Sequence, residues 1–336
     1  MLILKLLLIT VLGCLFFAGA PTSKADDRLL DLSRPDVQLF ISEIVNEEGL
    51  PRAQVETSLQ QARFQSSIIK AISRPAERVL TWKEYQDIFL TERRVSEGVA
   101  FLAQHESLFA DIEREYGVDR WVILSILGVE TFYGRITGSY RVIDALTTLA
   151  FDYPPRSKFF RGQLKALFRL AHEQKQDVIS LKGSYAGAMG YGQFIPTSYE
   201  AYAIDADQNG FADIWSTPHD IIASVANYFA EHRWTPGLTP LFVLEAPAAS
   251  LEPLFDNALK PKRTAASIRE LGVLLPSEIG ADEKVTLLRY AGKTGDEYWV
   301  GTQNFYTITR YNHSRLYAMA VFQLSEQLRE AASVSR

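Results

Sequence analysis

Glu130 is the residue in this 336-residue sequence whose surroundings ask most directly for chemistry. Ile126 and Leu127 lie one helical turn before it and Ile123 two turns before, so a helix here projects a carboxyl group from an apolar face. Desolvation disfavours the ionised form and raises the pKa, and the negative end of a helix dipole acts in the same direction. A carboxyl group held in this way can keep a proton near neutral pH and deliver it to a leaving group. The competing assignment is a buried structural glutamate paired with Arg135 or Arg141.

A second chemical segment runs from Ser184 to Gln193, where Gly187, Gly190 and Gly192 alternate with Ala186 and Ala188. Such a backbone can approach a ligand closely, and Ser184 and Gln193 bring a hydroxyl and an amide suited to sugar hydroxyls or an N-acetyl group. No Gly-Lys-Ser/Thr follows, so it is not a phosphate loop. Lys182 stands where a nucleophile elbow needs glycine. Taken alone, the segment is equally an ordinary tight turn.

Asp205, Asp207 and Asn209, followed by Gly210, match the first half of a calcium loop, and the seventh position would add the Phe211 carbonyl. Ser216 occupies the place of the closing glutamate, which leaves Asp213 or Asp220 to complete a Ca2+ site. The alternative is an acidic, solvated turn. Farther on, Tyr306, Tyr311 and Tyr317 crowd together with Asn304 and Asn312; tyrosine faces suit pyranose rings, although such a cluster also serves as core. His172-Glu173-x-x-Gln176 lacks the second histidine of a zinc helix.

The elements that must position these groups are mainly helical. Val37, Phe40, Ile41 and Ile44 form one helical stripe, Thr81 and Thr91 can each cap a helix, and Gly117 closes the segment. Asp119 can cap a helix over Arg120–Tyr133 that is apolar nearly all round, with Gly134 as its stop. Helical patterns resume at Arg161–Gln174, Asp220–His232 and Tyr317–Glu330. Leu241–Glu245, Val285–Tyr290 and Glu297–Gly301 read as short strands.

Composition excludes several classes. With 47% apolar and 22% charged residues the chain is neither disordered nor collagen-like, and a net charge of −5 argues against a phosphate-binding basic surface, hence against nucleic acid. Leu6 to Ala20 is uncharged and Ser23-Lys24-Ala25 offers small residues before a cut at Asp26, the pattern of a secretory signal. The one cysteine, Cys14, falls inside it, so a mature chain has no thiol chemistry. Val11-Leu12-Gly13-Cys14 also loosely matches a lipoprotein box, which would anchor the protein to a membrane through Cys14.

Read together, these segments resemble the lytic murein transglycosylase B family. The blocks that carry the likeness are Ile126 through Gly134, Asp144 through Pro154, Ser184 through Pro196, Asp205 through Trp215, Ser224 through Phe229 and Asn304 through Asn312. The resemblance implies a lysozyme-like α+β catalytic core with an N-terminal helical lobe and a small antiparallel β insert. Its divisions fall at 1–25 (signal peptide), 26–117 (helical lobe), 118–236 (core with the calcium loop), 237–302 (β insert) and 303–336 (the rest of the core). It further implies cleavage of the β-1,4 bond between N-acetylmuramic acid and N-acetylglucosamine, leaving a 1,6-anhydromuramoyl end, with Glu130 as the lone acid/base. Sugar contacts carry over to Ser184, Gln193, Tyr228, Tyr311, Asn312 and Tyr317, and a structural Ca2+ to Asp205, Asp207, Asn209, Phe211 and, for closure, Asp220. The implied setting is the periplasm. The implied partners are peptidoglycan strands and other cell-wall enzymes, with a monomeric chain and no organic cofactor.

Two rivals stand beside this expectation. A hydrolytic muramidase would use Asp144 or Asp152 to activate water, and a glycan-binding envelope protein would keep the cleft without turnover.

Overall fold

The computed structural model describes residues 28–73 and 80–334; the signal segment and Cys14 lie outside the described residues. Helices α1 (Pro35–Glu48), α2 (Arg52–Gln60) and α3 (Ser66–Ile72) open the chain. They are followed by α4 (Trp82–Phe89), α5 (Glu92–Gln104), α6 (Glu106–Tyr116) and α7 (Arg120–Thr131). Strand β1 (Tyr140–Arg141) leads into α8 (Val142–Asp152) and α9 (Ser157–Glu173), then β2 (Lys182–Gly183), α10 (Pro196–Tyr202) and α11 (Pro218–Glu231). The remainder comprises β3 (Leu241–Leu244), β4 (Arg263–Thr264), α12 (Ala265–Glu270), β5 (Lys284–Ala291), β6 (Asp296–Gly301), α13 (Gln303–Tyr311) and α14 (Arg315–Val334). The fold is mainly helical with small antiparallel sheets, as expected.

Contacts divide the chain into two compact units, each drawn from separated stretches. Among the described residues, one joins 28–73 with 130–224, and the other joins 80–129 with 225–334. The first unit is built around α8, in which every residue from Val142 to Phe151 is buried. Helix α9 packs on α8, and α10 and α1 pack on α9. The stripe of Val37, Phe40, Ile41 and Ile44 is the buried face of α1. Polar groups of α8 are paired: Asp144 takes a two-pronged bond from Arg141 and accepts the Arg63 N–H at 2.9 Å. Strands β1 and β2 form a two-stranded ribbon, with Tyr140 opposite Gly183.

In the second unit Thr81 and Glu84 form a reciprocal cap on α4, and the Thr91 hydroxyl caps α5. Helix α14 packs on α4 and α5. The four-stranded sheet has the order β3-β6-β5-β4, all antiparallel, in a register that sets Leu241 opposite Gly301 and Leu287 opposite Val300. It carries its own core of Leu244, Phe255, Ile268, Val285, Leu287 and Val300.

Helix α7 begins at the Asp119 carboxylate, which accepts the Trp121 N–H at 2.8 Å. Its residues from Val122 to Thr131 are all buried, at about 1.5–3 kcal/mol for each large aliphatic side chain, so its position is fixed by packing. The helix ends at Thr131, two residues before the expected Tyr133. Phe132, Tyr133 and Gly134 then follow one another at φ 52°, 57° and 85°, a left-handed run that no α-helix continues.

Candidate functional site

Glu130 occupies the last turn of α7 and is 6% exposed. The end of that helix is held by specific bonds. Its last four carbonyl groups lack helical partners. Arg94, buried in the second unit, donates from Nε to the Gly128 carbonyl at 3.1 Å. On the other side of Glu130, the Thr131 carbonyl accepts the Ile136 N–H at 2.9 Å, and the Thr131 hydroxyl accepts the Gly134 N–H at 3.0 Å. Arg141, one of the arginines that could have paired with Glu130, is committed to Asp144 and the Gln61 carbonyl.

The glycine-rich segment belongs to the same unit. Ser184 Oγ accepts the N–H groups of Ala186 at 3.3 Å and Ala188 at 3.1 Å, folding the turn around itself, while its proton finds no acceptor among the described residues. Gln193 sits at φ 51° and spends its amide protons on the carbonyls of Gly190, at 2.9 Å, and Thr137, at 3.2 Å. Its amide oxygen therefore remains to accept. The two side chains together offer a donor and an acceptor, which is what an acetamido group or a pair of sugar hydroxyls needs. Gly190 packs so tightly on Ile214 that an added Cβ would lie 2.4 Å from the Ile214 carbonyl oxygen.

The remaining expected sugar contacts lie in the second unit. Tyr228, on α11, stacks on His232 at 4.1 Å, meets Tyr311 edge-on at 4.6 Å, and donates its hydroxyl to the Arg310 carbonyl at 2.6 Å. Tyr311 also stacks on Phe229 at 5.7 Å and stays half-buried. Asn312 is 6% exposed, and its Oδ1 has no hydrogen-bond partner among the described residues, an acceptor a bound hydroxyl could satisfy. Tyr317 is fully buried in α14, so its ring acts from within the core. Burial pushes the His232 pKa below its ordinary value, and the nearby Arg310 charge adds to this.

At the acidic loop, carboxylate oxygens of Asp205, Asp207 and Asp220 lie within 4.8 Å of one another. Asp220 is fully buried at the head of α11; it accepts the N–H groups of Ala206 (2.8 Å), Asp207 (3.3 Å) and Asp213 (2.8 Å). Its pKa is nevertheless raised, chiefly by burial. Asp205 and Asp207 both accept the Asn209 N–H, which curls the loop around the cluster. Asp213 turns away to cap the Trp215 and Ser216 N–H groups, and Ser216 donates its hydroxyl to Asp213. Three converging carboxylates repel one another unless a cation neutralises them, and all-oxygen donors suit a hard divalent ion. The residues present fit calcium. Asp220, four residues beyond the usual closing position, is the carboxylate that joins the other two.

Nothing in the spacing marks Thr131, Tyr191 or Trp215. Each acquires a role through long-range contacts: Tyr191 is bonded to both Thr131 and Ile214, and Trp215 Nε1 donates to the Lys182 carbonyl at 3.0 Å.

Comparison with known proteins agrees with this geometry. The family described as "Transglycosylase SLT domain" matches residues 33–326. Membrane-bound lytic murein transglycosylase B of Escherichia coli (strain K12) is 39% identical over 303 residues, covering 88% of this chain and 82% of that protein. Among solved structures, the soluble lytic transglycosylase SltB1 from Pseudomonas aeruginosa is 48% identical, with a TM-score of 0.85 over 89% of this chain and all of that one. Escherichia coli Slt35, solved in complex with calcium, is 38% identical with a TM-score of 0.82, covering 90% and 96% of the two chains. A match spanning nearly every described element, the helix that bears Glu130 and the acidic loop included, means that this chain belongs to the lytic murein transglycosylase B family and is a lytic transglycosylase.

Proposed function

We propose that this enzyme cleaves the β-1,4 bond between N-acetylmuramic acid and N-acetylglucosamine in peptidoglycan and closes the muramoyl end as a 1,6-anhydro ring, with Glu130 serving as acid and then as base. The observation that carries the reading is a glutamate 6% exposed at the end of a buried helix, in the same unit as a loop offering a sugar donor and acceptor. The substrate class is supported by SltB3 of Pseudomonas aeruginosa, 29% identical with a TM-score of 0.77 over 88% of this chain and 79% of that one, solved with NAG-NAM-pentapeptide.

Glu130, in its protonated form, gives its proton to the glycosidic oxygen as the bond to muramic-acid C1 breaks. The acetamido group of the same sugar stabilises the positive charge at C1, the role a second carboxylate has in other glycosidases. The Glu130 carboxylate then takes the proton of the C6 hydroxyl, whose oxygen bonds to C1. The proton count returns to its start and no water is consumed. Attack from within one sugar ring outcompetes water because its orientation is prepaid, a contribution of up to roughly 7–11 kcal/mol in favourable cases. Ser184 and Gln193 orient the sugar substituents; the family correspondence adds contacts from Tyr228, Tyr311 and Asn312, while Tyr317, buried in α14, supports them from the core rather than touching sugar.

A hydrolytic route needs a second carboxylate free to activate water. Asp144 is locked by Arg141 and the Arg63 N–H, and Asp152 is paired with Arg34 at 3.0 Å. Asp205, Asp207, Asn209, the Phe211 carbonyl and Asp220 would hold calcium, which neutralises the carboxylate cluster and stiffens the loop without touching substrate. The cell envelope is the implied setting: the Escherichia coli relative is named membrane-bound, and among the described residues no helix is long and apolar enough to cross a membrane. Mass spectrometry of muropeptides released from purified sacculi tests the reading. Products lighter by one water at muramic acid are expected and must vanish with Glu130→Gln; free reducing ends, or undiminished cleavage by that variant, would overturn it.

A further inference from the structure

We infer that Thr131 is a positioning residue for Glu130 and that, through Tyr191, it couples the acid to the cation loop, so that ordering of residues 205–216 is transmitted to the catalytic end of α7. This rests on the assignment of Glu130 as the acid.

The path consists of contacts within one unit. Asp220 fixes the start and middle of the acidic loop through the Ala206, Asp207 and Asp213 N–H groups. Next to Asp213, the Ile214 carbonyl accepts the Tyr191 N–H at 2.9 Å and presses on Gly190. Trp215, stacked on Phe211 at 6.1 Å, holds the Lys182 carbonyl at 3.0 Å, two residues from Ser184. One residue thus ties each end of the sugar loop to the cation loop. Tyr191 carries the connection onward: its carbonyl accepts the Thr131 hydroxyl at 3.0 Å, and that same hydroxyl accepts the Gly134 N–H. The Tyr191 ring covers Gly134 so closely that an added Cβ would lie 1.9 Å from its Cζ. Thr131 is 1% exposed and adjoins Glu130 in sequence, so a shift of Tyr191 breaks a hydrogen bond made by the residue next to the acid in a place shielded from water, where such a bond is costly to lose. The left-handed run at Phe132 and Tyr133 breaks the α-helical ladder immediately after Thr131.

The coupling is reciprocal in binding and can be measured without turnover. Calorimetric titration of calcium into the full-length Glu130→Gln protein, with and without saturating NAG-NAM-pentapeptide, is expected to show at least about fivefold tighter calcium binding with the glycopeptide present. Thr131→Val, which removes the hydroxyl and keeps the shape, should bring that ratio below twofold, whereas Thr131→Ser should retain it. In the Glu130 background Thr131→Val should lower kcat by about tenfold to a hundredfold with KM within twofold, and Thr131→Ser should recover most of it. Should Thr131→Val fail to fold, Trp215→Phe carries the binding test, since it removes the indole bond to Lys182 while keeping a ring against Phe211, and should at least halve the ratio. Equal calcium affinity with and without glycopeptide, or a ratio unchanged by these substitutions, overturns the inference. Glycan cleavage that survives Glu130→Gln would instead remove the assignment beneath it, so the two failures are distinguishable.

Discussion

Replacing Gly134 by alanine tests how the end of α7 is built, and the structure sets the size of the effect. Gly134 has φ +85°, a conformation that costs an L-residue roughly 1–2 kcal/mol. The new Cβ would also lie 1.9 Å from Cζ, 2.1 Å from Cε2 and 2.4 Å from the hydroxyl oxygen of Tyr191, all far inside contact distance. The half-buried ring must move, and overpacking of this kind costs about 1–3 kcal/mol. Gly49 is the control: it has φ +70° in the same unit, with nothing within 4 Å of its added Cβ, so Gly49→Ala suffers only the backbone penalty. At roughly 2–4 °C per kcal/mol, Gly134→Ala should melt some 5–15 °C lower, and distinctly below Gly49→Ala. Differential scanning calorimetry of both single variants, of Tyr191→Ala and of the Gly134→Ala/Tyr191→Ala pair gives the ring's share directly, because removing the ring removes the clash. If the pair were additive within about 0.5 kcal/mol, or if Gly134→Ala melted with Gly49→Ala, the proposed packing of Tyr191 on the helix end would be refuted.

Three further outcomes are expected. Chelation with excess EDTA should lower Tm by about 5–10 °C, the loss of roughly 2.7 kcal/mol for a site held at a hundred times its Kd; Asp205→Asn should melt at the chelated temperature with or without calcium. Arg94→Leu should cost about 2–4 kcal/mol in urea unfolding, because it strips the Gly128 and Ile88 carbonyls of a charged donor in a buried place; a loss below 0.5 kcal/mol would show that Arg94 does not secure α7. His232 has a pKa lowered by burial, with Arg310 adding to the shift and the Tyr228 carbonyl and Glu231 opposing it. The neutral ring is therefore the native form: its stabilising contribution is full above pH 6.5 and is lost as pH falls through the lowered folded value. His232→Phe keeps a flat ring against Tyr228 and should flatten the decline of Tm between pH 6.5 and 5, while an unchanged pH slope would remove His232 from that transition.

How much of this was legible in the sequence differs by kind of residue. Caps and stripes on half-buried helices declared themselves: Thr81 and Thr91 cap the helices they precede, and the α1 stripe is the buried face. Strands Val285–Tyr290 and Glu297–Gly301 were found within a residue of each end, because short apolar runs split by Pro- and Gly-containing turns mark them even where alternation is imperfect. Helix α8 gave no comparable signal because it is buried on all sides from Val142 to Phe151, and without a solvated face there is no periodicity to read. The end of α7 was misplaced for a related reason. Gly134 is a natural stop, but the helix unwinds earlier, at Phe132, where the Thr131 hydroxyl competes for the Gly134 N–H and the Thr131 carbonyl takes the Ile136 N–H instead.

The same distinction separates the parts of the candidate site. Glu130, Ser184, Gln193 and the aspartates of the acidic loop stand out because their own chemistry conflicts with their neighbours: a carboxyl among isoleucines, a hydroxyl and an amide among glycines, acids in a row. Residues that hold them in place have no such conflict. Thr131, Tyr191, Ile214 and Trp215 are unexceptional in type, and each of the four bonds they make here uses a backbone carbonyl or N–H that any residue could supply. Support of this kind is therefore tolerant of side-chain change at Ile214 and intolerant of it at Thr131, whose hydroxyl bonds to both the sugar loop and the helix end. A hydroxyl-retaining serine should be accepted at 131 and an isosteric valine rejected, while Ile214→Val should cost no more than a methylene's worth of packing, about 0.5–1.5 kcal/mol, with turnover intact. The reverse pattern, with Thr131→Val silent and Ile214→Val slow, would mean that packing rather than the hydroxyl bridge sets the geometry of the acid.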